Sequence, residues 1–586
     1  MLSAATPPAA SSRLIPSGST SKLQTTSESL GLYSRLTKSR YFTTSLSPTN
    51  CEDNFLKIFN YFEYQSFLCV GFMRLVADLM KITAGGRYIA VLDEETASIL
   101  GVHSSDRIRV AFGEREVIAL ANISANFPQN HIGLYAEISG MLQIQGSELV
   151  EVQLAKMPES LSYVRAKIRG ERLRQQDMIT IVKDVVERHL SEVEIAAFLT
   201  ALKIYGLTMG ETEALSRAMY ETGKTLDFGE APILDKHSIG GLPGDKTSML
   251  VVPIVAASGF TIPKTSSRAV TSPAGTADRV ETLCPVNLSI EEIREVVHKT
   301  NGCLVWGGSL DLAPADDLFI QVEYPLGIDP LLLPSIMSKK KAIGATHVVI
   351  DIPTGSGAKI KTITEAHTLA SDFVDLGKRL GMTIQCALTF GEQPLGHAVG
   401  PALEAREALA TLEGAGAEDL KEKAIILAGI LFEMVGLEDG KKRAENVLQS
   451  GRAETKLREI IGAQGGNPNV KPEDIAVGSQ TAQVTSDKAG RVLWISTDSI
   501  VQIAREAGAP KEKGSGVVLK AKLGEAVKKD GLLFEIYAER NSKLESALDL
   551  AKSLKPVVLS KKAEEQMLLD QIPEKVASEK TFILER

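Results

Sequence analysis

The strongest constraint on the fold is the run His-Val-Val-Ile-Asp-Ile at residues 347–352, which has the length and β-branched content of a buried strand. Helical sequence precedes this run at 335–341 and follows it at 365–380. Two parallel strands need a crossover connection, which is usually a helix, so the alternation favours a mostly parallel sheet. We therefore predict an α/β domain at residues 231–400.

The segments on either side of that domain have different patterns. Residues 73–160 contain short β-like runs separated by turns and predict an N-terminal β-rich domain. Residues 161–230 change to helical periodicity and predict a helical domain, to which we assign the later helices at 401–465. Residues 466–586 return to β-like runs and predict a C-terminal α+β domain of the barrel-sandwich type. The expected fold class is α/β combined with α+β.

Two helices of the predicted helical domain have recognisable first residues. Ser191 with Glu194, and Thr208 with Glu211, each form the Ser/Thr-x-x-Glu pattern of a capping box. Gly206 lies between the two patterns and is a typical helix stop. The sequence therefore predicts one helix that ends at Gly206 and another that begins just after Thr208.

The first 72 residues differ from the rest of the chain. Residues 1–51 are rich in Ser and Thr and carry a single acidic side chain, Glu28, which is typical of an organelle transit peptide. The alternative is an artefact of an over-extended gene model, which the aromatic run at 52–72 favours because well-patterned sequence starts at Met73. In both cases we expect residues 1–72 to be a disordered extension.

Composition excludes several classes of protein. Lys and Arg number 65 against 73 Asp and Glu, and a net charge of -8 disfavours a general nucleic-acid binder. Five widely spaced cysteines, none in a C-x-x-C pair, indicate neither a disulfide framework nor a zinc site. No run of 18 apolar residues is present, so a membrane span is not expected. We expect a cytoplasmic protein, or an organelle-targeted one if residues 1–72 are a transit peptide.

A glycine-rich loop follows the predicted helical domain. Residues 236–248 read Lys-His-Ser-Ile-Gly-Gly-Leu-Pro-Gly-Asp-Lys-Thr-Ser and precede an apolar run at 249–257. Glycines let the backbone approach an anion, and a following helix would direct its free N–H groups toward it. The pattern is not a Walker A loop. It predicts an anion-binding loop, with a simple turn as the alternative.

A second polar segment lies at residues 264–278, where six hydroxyl side chains surround Arg268. Such a set suits a phosphorylated ligand with many hydroxyls, because a guanidinium forms paired hydrogen bonds with phosphate oxygens. The alternative is a solvated Ser/Thr loop.

Three further features belong to the same region. Asp316 and Asp317 are adjacent acids at a predicted helix start, where a capping role is favoured over a metal site. Lys359 follows the buried strand, and ligands gather at the carboxyl ends of such strands, so it is a candidate anion contact. Asp329 carries little weight as a proton donor from sequence pattern alone.

Two of these segments together resemble the thymidine/pyrimidine-nucleoside phosphorylase family. Residues 267–281, Ser-Arg-Ala-Val-x-x-Pro-Ala-Gly-Thr-Ala-Asp-x-x-Glu, match its signature, and 236–241, Lys-His-Ser-x-Gly-Gly, match its phosphate loop. The residues Ser-Ser-Arg-Ala at 266–269 replace a usual Ser-Gly-Arg-Gly and resemble the archaeal branch of AMP phosphorylases, as does the extra N-terminal domain. The resemblance covers residues 73–586.

The resemblance implies a pentosyltransferase with a helical domain facing an α/β domain across a cleft. It implies phosphorolysis of AMP, and also of CMP and UMP, to the free base and α-D-ribose 1,5-bisphosphate in nucleotide salvage. Inorganic phosphate is then a co-substrate, with no cofactor and no metal, and a homodimer or larger homo-oligomer is expected. The alternatives are a thymidine/pyrimidine nucleoside phosphorylase and a non-catalytic AMP sensor.

Site residues follow from the resemblance position by position. AMP binding is implied for Gly241, Ser267, Arg268, Ala269, Val270, Thr271, Ser272, Thr276, Ser335 and Lys359. Phosphate binding is implied for Lys236, Ser238, Ser248 and Ser266, and Lys339 is implied to approach the base. The two branches of the family nominate different catalytic acids, His237 and Asp329. The segment 330–334 is shorter than the family pattern, which can move Asp329 relative to Ser335.

Overall fold

The computed structural model describes residues 72–229, 232–269 and 272–560. Phe72 apart, the predicted N-terminal extension at 1–72 lies outside the described residues, and so do Val270, Thr271 and residues 561–586. Arg74 and the chain beyond it form one compact unit. No helix among the described residues is long and apolar enough to cross a membrane.

The N-terminal region forms a closed barrel with strand order β1-β5-β2-β4-β3-β6. Its strands are β1 (Met73–Leu79), β2 (Ile89–Leu92), β3 (Arg107–Phe112), β4 (Arg115–Ile123), β5 (His131–Leu134) and β6 (Leu149–Leu154). Two short helices, α1 (Glu94–Leu100) and α2 (Ala136–Leu142), connect them. Alternate residues such as Ile108 and Val110 point inward and are fully buried, as expected for strands with one face in a core.

A helical layer follows the barrel. Its helices are α3 (Ser160–Ile168), α4 (Gln175–Val186), α5 (Glu192–Tyr205) and α6 (Met209–Glu221). Both predicted capping boxes are confirmed, with Ser191 ahead of α5 and Thr208 ahead of α6, and Gly206 ends α5.

The α/β region begins at β7 (Leu234–Ser238), and its mostly parallel sheet confirms the expected fold class. It continues through α7 (Ser248–Ala257), β8 (Ile262–Ser266), α8 (Thr276–Val280), α9 (Ile290–Thr300), β9 (Gly302–Trp306), α10 (Pro314–Leu326), α11 (Leu332–Ala342), β10 (His347–Thr354), α12 (Ile363–Arg379) and β11 (Thr383–Phe390). The order β11-β10-β7 is parallel throughout, and β8 pairs with β9 in parallel. A parallel bridge between Ile233 and Thr261 joins the two parts.

The helices at 401–465 do not join the helical layer, contrary to the sequence-based assignment. They are α13 (Pro401–Leu412), α14 (Glu418–Met434), α15 (Gly440–Gln449) and α16 (Arg452–Ala463). They pack around α7, which is apolar on all sides and needs cover on each of them. The helical layer instead takes in α10, through Phe319 and its neighbours. Periodicity shows which face of a helix is apolar, and leaves open which element covers that face.

The C-terminal region contains two antiparallel sheets and two helices. Its elements are β12 (Ala398–Val399), β13 (Gln480–Thr485), β14 (Gly490–Ile495), α17 (Thr497–Glu506), β15 (Gly516–Leu519), β16 (Ala526–Val527), β17 (Leu532–Ala538), α18 (Asn541–Leu554) and β18 (Val557–Ser560). The sheet orders are β12-β15-β17-β13 and β16-β14-β18. Strand β12 comes from the end of the α/β region, so the two regions share one sheet.

Candidate active site

A cavity of about 630 Å³ lies between the carboxyl ends of β7, β8 and β9 and the helices α10 and α11. Its volume falls within the range of small-molecule sites. Ligands of open α/β sheets bind at the carboxyl ends of the strands. The cavity therefore lies where the fold class places a ligand.

Most of the sequence-predicted site residues meet in this cavity, although they come from distant segments. The lining includes Lys236, His237, Ser238, Ser248, Ser266, Ser267, Arg268, Ala269, Thr276, Ser335 and Lys339.

Four other predicted site residues do not line the cavity. Ser272 donates a hydrogen bond to the carbonyl oxygen of Ala274 within its own loop, at 3.0 Å. Lys359 forms an ion pair with Asp329. Gly241 packs against Lys359 so closely that a Cβ at Gly241 would lie 2.6 Å from the Lys359 Cβ. Asp329, Lys359 and Gly241 thus form a separate group.

A buried group of charges from β7, β8 and α11 underlies the cavity. The Lys340 Nζ atom lies 2.6 Å from the Asp235 carboxylate, and the Lys264 Nζ atom lies 3.7 Å from it. All three side chains are buried. Burial, reinforced by the charge of Lys340, lowers the pKa of Lys264 to about 7. Two cations therefore share one carboxylate beside the cavity.

Lys236 belongs to a second buried charge group. Its Nζ atom lies 3.8 Å from carboxylate oxygens of both Asp245 and Asp351, and Lys423 on α14 lies 2.8 Å from Asp351. Burial lowers the pKa of Lys236, and the two aspartates oppose that effect. Together the two groups contain four lysines and three aspartates, so an anion bound in the cavity would balance the fourth lysine when all four are charged.

The glycine-rich loop supplies uncharged donors on the same side. Helix α7 begins at Ser248, which lines the cavity and places the positive end of the helix there. The Ser238 Oγ atom is buried and has no hydrogen-bond partner among the residues that the structure describes. A buried hydroxyl without a partner is costly, so it is available to a ligand.

His237 lies between these lysines and also lines the cavity. Burial, together with the charges of Lys340 and Lys264, holds the pKa of His237 well below its usual value. The imidazole is therefore neutral at pH 7 and offers one N–H donor and one acceptor to a ligand.

The opposite wall of the cavity positions Ser335 and Lys339. The Asp316 carboxylate, which is fully buried, accepts a hydrogen bond from the Ser335 Oγ atom at 2.8 Å and lies 2.6 Å from the Lys339 Nζ atom. Asp317 lies 3.4 Å from the same Nζ atom. Burial lowers the pKa of Lys339, but the two aspartates raise it overall. Asp316 and Asp317 lie in the first turn of α10, but no side chain among the described residues caps this helix, so the favoured capping role is wrong. They orient α11 side chains instead.

Arg268 is already engaged by carboxylates. Its guanidinium forms two hydrogen bonds with Glu281, at 2.6 and 2.7 Å, and stacks over Trp306 at 4.9 Å from the ring centre. Lys513 from the C-terminal region lies 2.9 Å from Asp278 and 3.0 Å from Glu281. The hydrogen bonds from Arg268 lower the pKa of Glu281 to about 2.

Sequence reasoning missed several residues of the cavity. Lys264 is the first residue of the polar segment 264–278, and Lys340 directly follows Lys339, but neither was assigned a role. Ile320 and Gln321 also line the cavity, and no local pattern marks them. They reach it because α10 and α11 both line the cavity, where Asp316 on α10 contacts Ser335 and Lys339 on α11, and only the tertiary structure decides this.

One group of side chains has metal-ligand spacing among the described residues, and it lies away from the cavity. It consists of Asp184, Glu187 and His189. The His189 Nδ1 atom is 3.0 Å from Asp184 and 3.5 Å from Glu187, so hydrogen bonding within the group accounts for its geometry.

Family comparisons agree with this architecture. The model described as "Glycosyl transferase family, helical bundle domain" matches residues 161–223, and "Glycosyl transferase family, a/b domain" matches 230–454. The "Pyrimidine nucleoside phosphorylase C-terminal domain" model matches residues 492–556. The helical, α/β and C-terminal parts expected from the resemblance are therefore present.

Curated relatives extend over nearly the whole described chain. The AMP phosphorylase of Thermofilum pendens is 50% identical over 485 residues, which cover 83% of this chain and 95% of that enzyme. The AMP phosphorylase of Thermococcus kodakarensis is 49% identical over 80% of this chain and 95% of its own length. That of Pyrococcus furiosus is 49% identical over 83% of this chain and 97% of its own. The cavity, the three matched domains and these relatives together place this chain in the AMP phosphorylase family.

Proposed function

We propose that this protein catalyses the phosphorolysis of AMP, and also of CMP and UMP, to the free base and α-D-ribose 1,5-bisphosphate. The observation that carries the proposal is the buried set of four lysines and three aspartates beside the cavity, in which a bound anion balances the fourth lysine when all four are charged. The relative from Thermofilum pendens, which is 50% identical to this chain, carries the name AMP phosphorylase.

Inorganic phosphate is assigned to the β7 side of the cavity. Lys236, Ser238, Ser248 and Ser266 line this side, and the N-terminus of α7 adds its dipole. Cleavage of the N-glycosidic bond gives the ribosyl C1′ atom a cationic character. A phosphate held beneath C1′ stabilises that charge and then forms the new C1′–O bond.

The departing base is assigned to the space between the end of β7, which carries His237, and the opposite wall, which carries Ser335 and Lys339. As the C1′–N bond breaks, its electron pair stays with the base, which must be hydrogen-bonded or protonated. His237, Ser335 and Lys339 line the cavity and are available for this contact. Asp329 lies outside the cavity, so we assign the base contact to His237 rather than to Asp329.

The 5′-phosphate requires a second anion site. Arg268 and Lys359 are the cations we assign to it, and each now faces a carboxylate, Glu281 and Asp329 respectively. Binding of the 5′-phosphate therefore exchanges one ion pair for another, and Lys513 remains beside Glu281 when Arg268 leaves. Such an exchange couples recognition of the nucleotide to movement of the two segments that carry Arg268 and Lys359.

We propose a cytoplasmic homo-oligomer that works without a metal or cofactor. The chemistry needs only a phosphate nucleophile, which is the co-substrate, and hydrogen-bond donors, which the cavity supplies. Cys284, Cys303 and Cys386 are unpaired among the described residues, which suits a reducing compartment.

The test is adenine release from AMP in the presence and absence of inorganic phosphate, with thymidine as a parallel substrate. We expect phosphate-dependent release of adenine and formation of ribose 1,5-bisphosphate, with thymidine unchanged. Thymine release with AMP untouched would replace the proposal with nucleoside phosphorolysis.

The same assay decides the base contact. We expect His237→Ala to lower kcat by on the order of 100-fold, the usual size of such a contribution. Asp329→Asn should act mainly on the KM of AMP, through Lys359. A collapse of kcat in Asp329→Asn with little change in His237→Ala would reverse the assignment.

A further inference from the structure

Lys246 has no contact with the cavity, yet its environment is among the most specific in the protein. It is fully buried and lies between Asp245 and the first residues of α7. Its Nζ atom donates hydrogen bonds to the carbonyl oxygens of Gly244, Leu395 and Ala398, at 2.9, 3.0 and 3.2 Å. A carboxylate oxygen of Glu407 lies 2.7 Å away. The ammonium group is thus held in a cage of four oxygen atoms.

The carboxylate of the cage, Glu407, also binds the chain segment 394–398, which carries two of the carbonyl groups. Glu407 accepts hydrogen bonds from the backbone N–H groups of His397 and Ala398, at 2.8 and 2.9 Å. Burial raises the pKa of Glu407, but the charge of Lys246 and these hydrogen bonds lower it overall. The segment 394–398 is therefore fixed by a cation at its carbonyl groups and an anion at its N–H groups.

Glycines at two positions make room for this contact. A Cβ at Gly244 would lie 2.5 Å from the Leu395 carbonyl oxygen, and one at Gly396 would lie 2.8 Å from the Lys246 Nζ atom. Both glycines have positive φ, of +78° and +66°. The backbone on both sides of the ammonium group therefore needs glycine at these points.

A second lysine binds segment 394–398 from the C-terminal region. The Lys522 Nζ atom donates to the carbonyl oxygens of Pro394 and Gly396, at 2.5 and 2.6 Å, and lies 3.0 Å from Asp419. The segment thus lies between one lysine of the glycine-rich loop and one lysine of the C-terminal region.

We propose that Lys246 is a positioning residue for phosphate: its caged ammonium fixes the glycine-rich loop on segment 394–398, which Lys522 fixes to the C-terminal region. The proposal rests on the phosphate site of the proposed function and deepens it. Asp245, which faces Lys236, directly precedes Lys246 in the chain. Ser248, which lines the cavity, follows Lys246 by two residues. Loss of the cage therefore displaces phosphate contacts and leaves Ser335 and Lys339 on the opposite wall in place.

The decisive variants are Lys246→Ala, which leaves space for a free ammonium ion, and Lys246→Met, which fills that space without charge. We expect both to raise the KM of phosphate by on the order of tenfold, while the KM of AMP changes by less than about twofold. Ammonium chloride should restore Lys246→Ala and leave Lys246→Met unchanged. Tetramethylammonium chloride at equal ionic strength, whose cation is too large for the cage, should restore neither.

Lys522→Met tests the outer contact if the Lys246 variants do not fold. It should raise the KM of phosphate by about threefold, the loss expected for part of a hydrogen-bonded contact. Its matched control is Lys520→Met. This change removes an ion pair with Glu535 on β17, and the Lys520 side chain has no ion pair with the described segment 394–398. Equal phosphate KM values in these two variants would refute the coupling to the C-terminal region.

A measurement of phosphate binding without turnover tests the role of Lys246 independently of the proposed function. Inorganic phosphate should raise the unfolding temperature of the unmodified protein, and this rise should be lost in Lys246→Ala and return with ammonium chloride. If the unmodified protein releases no adenine from AMP, the proposed function fails, but this measurement still tests Lys246. An undiminished phosphate effect in Lys246→Ala, or an equal rise in both KM values without ammonium rescue, overturns the proposal.

Discussion

At the scale of single residues, the site depends on lysines that are hard to keep charged. Lys236 and Lys264 are both buried, and each shares its carboxylate with another lysine. Removing water from an ammonium group disfavours its charged form, and a neighbouring cation adds to that effect. A bound phosphate reverses both effects at once, because it supplies negative charge where hydration has been lost. Phosphate binding and lysine protonation are therefore linked.

This linkage predicts the pH dependence of phosphate binding. The free site has a Lys264 pKa of about 7, and a bound anion raises it. Below pH 7 the lysine is already charged, whereas above pH 7 binding must take up a proton. The KM of phosphate should therefore rise above pH 7, by up to about tenfold per pH unit, until the pKa of the bound state is reached.

Steady-state kinetics from pH 6 to 9 measure this effect. Lys264→Met should bind phosphate more weakly and lose this part of the pH dependence, while the exposed Lys378→Met should keep it. Both variants share the titration of phosphate itself, which cancels in the comparison. Identical pH slopes in Lys264→Met and the unmodified protein would contradict the assignment.

At the scale of secondary-structure elements, the starts of helices follow from short patterns, whereas their packing does not. The capping boxes at Ser191 and Thr208 were readable because a cap involves residues three apart. The same local pattern gave no sign that the Glu211 side chain also receives hydrogen bonds from the Lys167 Nζ atom at 2.7 Å and from the Leu173 N–H at 3.0 Å. Glu211 thus joins α3, the start of α4 and α6.

Glu211→Gln should destabilise the helical layer. It leaves the buried Lys167 without its counter-charge, which costs about 3 kcal/mol of the free energy of unfolding. Burial raises the pKa of Glu211, but its hydrogen bonds lower it overall, so its stabilisation is full at neutral pH and lost as pH falls through that lowered pKa. Denaturant unfolding at pH 7 measures the loss. The exposed Glu221→Gln on the same helix should change stability by less than about 0.5 kcal/mol, and an equal loss in both would refute the role of Glu211.

At the scale of the whole molecule, one partly buried and one exposed ion pair connect the barrel to the helical layer. Arg107 on β3 pairs with Glu194 on α5, and its Nε atom donates to the His189 carbonyl oxygen at 2.9 Å. Arg87 pairs with Glu192 at 2.6 Å. The linker between the two parts, residues 155–159, carries the exposed Lys156. Contacts of this kind hold the barrel and the helical layer together, although each has its own hydrophobic core.

Arg107→Met should therefore loosen the barrel without changing catalysis. We expect trypsin to cleave after Lys156 about tenfold faster, which corresponds to about 1.4 kcal/mol of lost docking free energy. Both KM values should remain unchanged, because Arg107 is remote from the cavity. The control is Arg109→Met, whose partner Glu116 lies within the barrel. Equal cleavage rates in the two variants would show that Arg107 does not hold the barrel in place.

The sequence by itself determined the parallel α/β class, the helix starts and the glycine-rich loop, because each depends on residues within one element or turn. Its motifs also named eleven residues that line the cavity. Only the tertiary structure decided that α13 to α16 surround α7, that Asp316 holds Ser335 and Lys339, and that Glu281 occupies Arg268. These contacts join residues far apart in the chain, and their partners are set by which surfaces the packed elements bury together. Local patterns record the shape of an element, whereas charge pairing in a buried site depends on what the fold places opposite it.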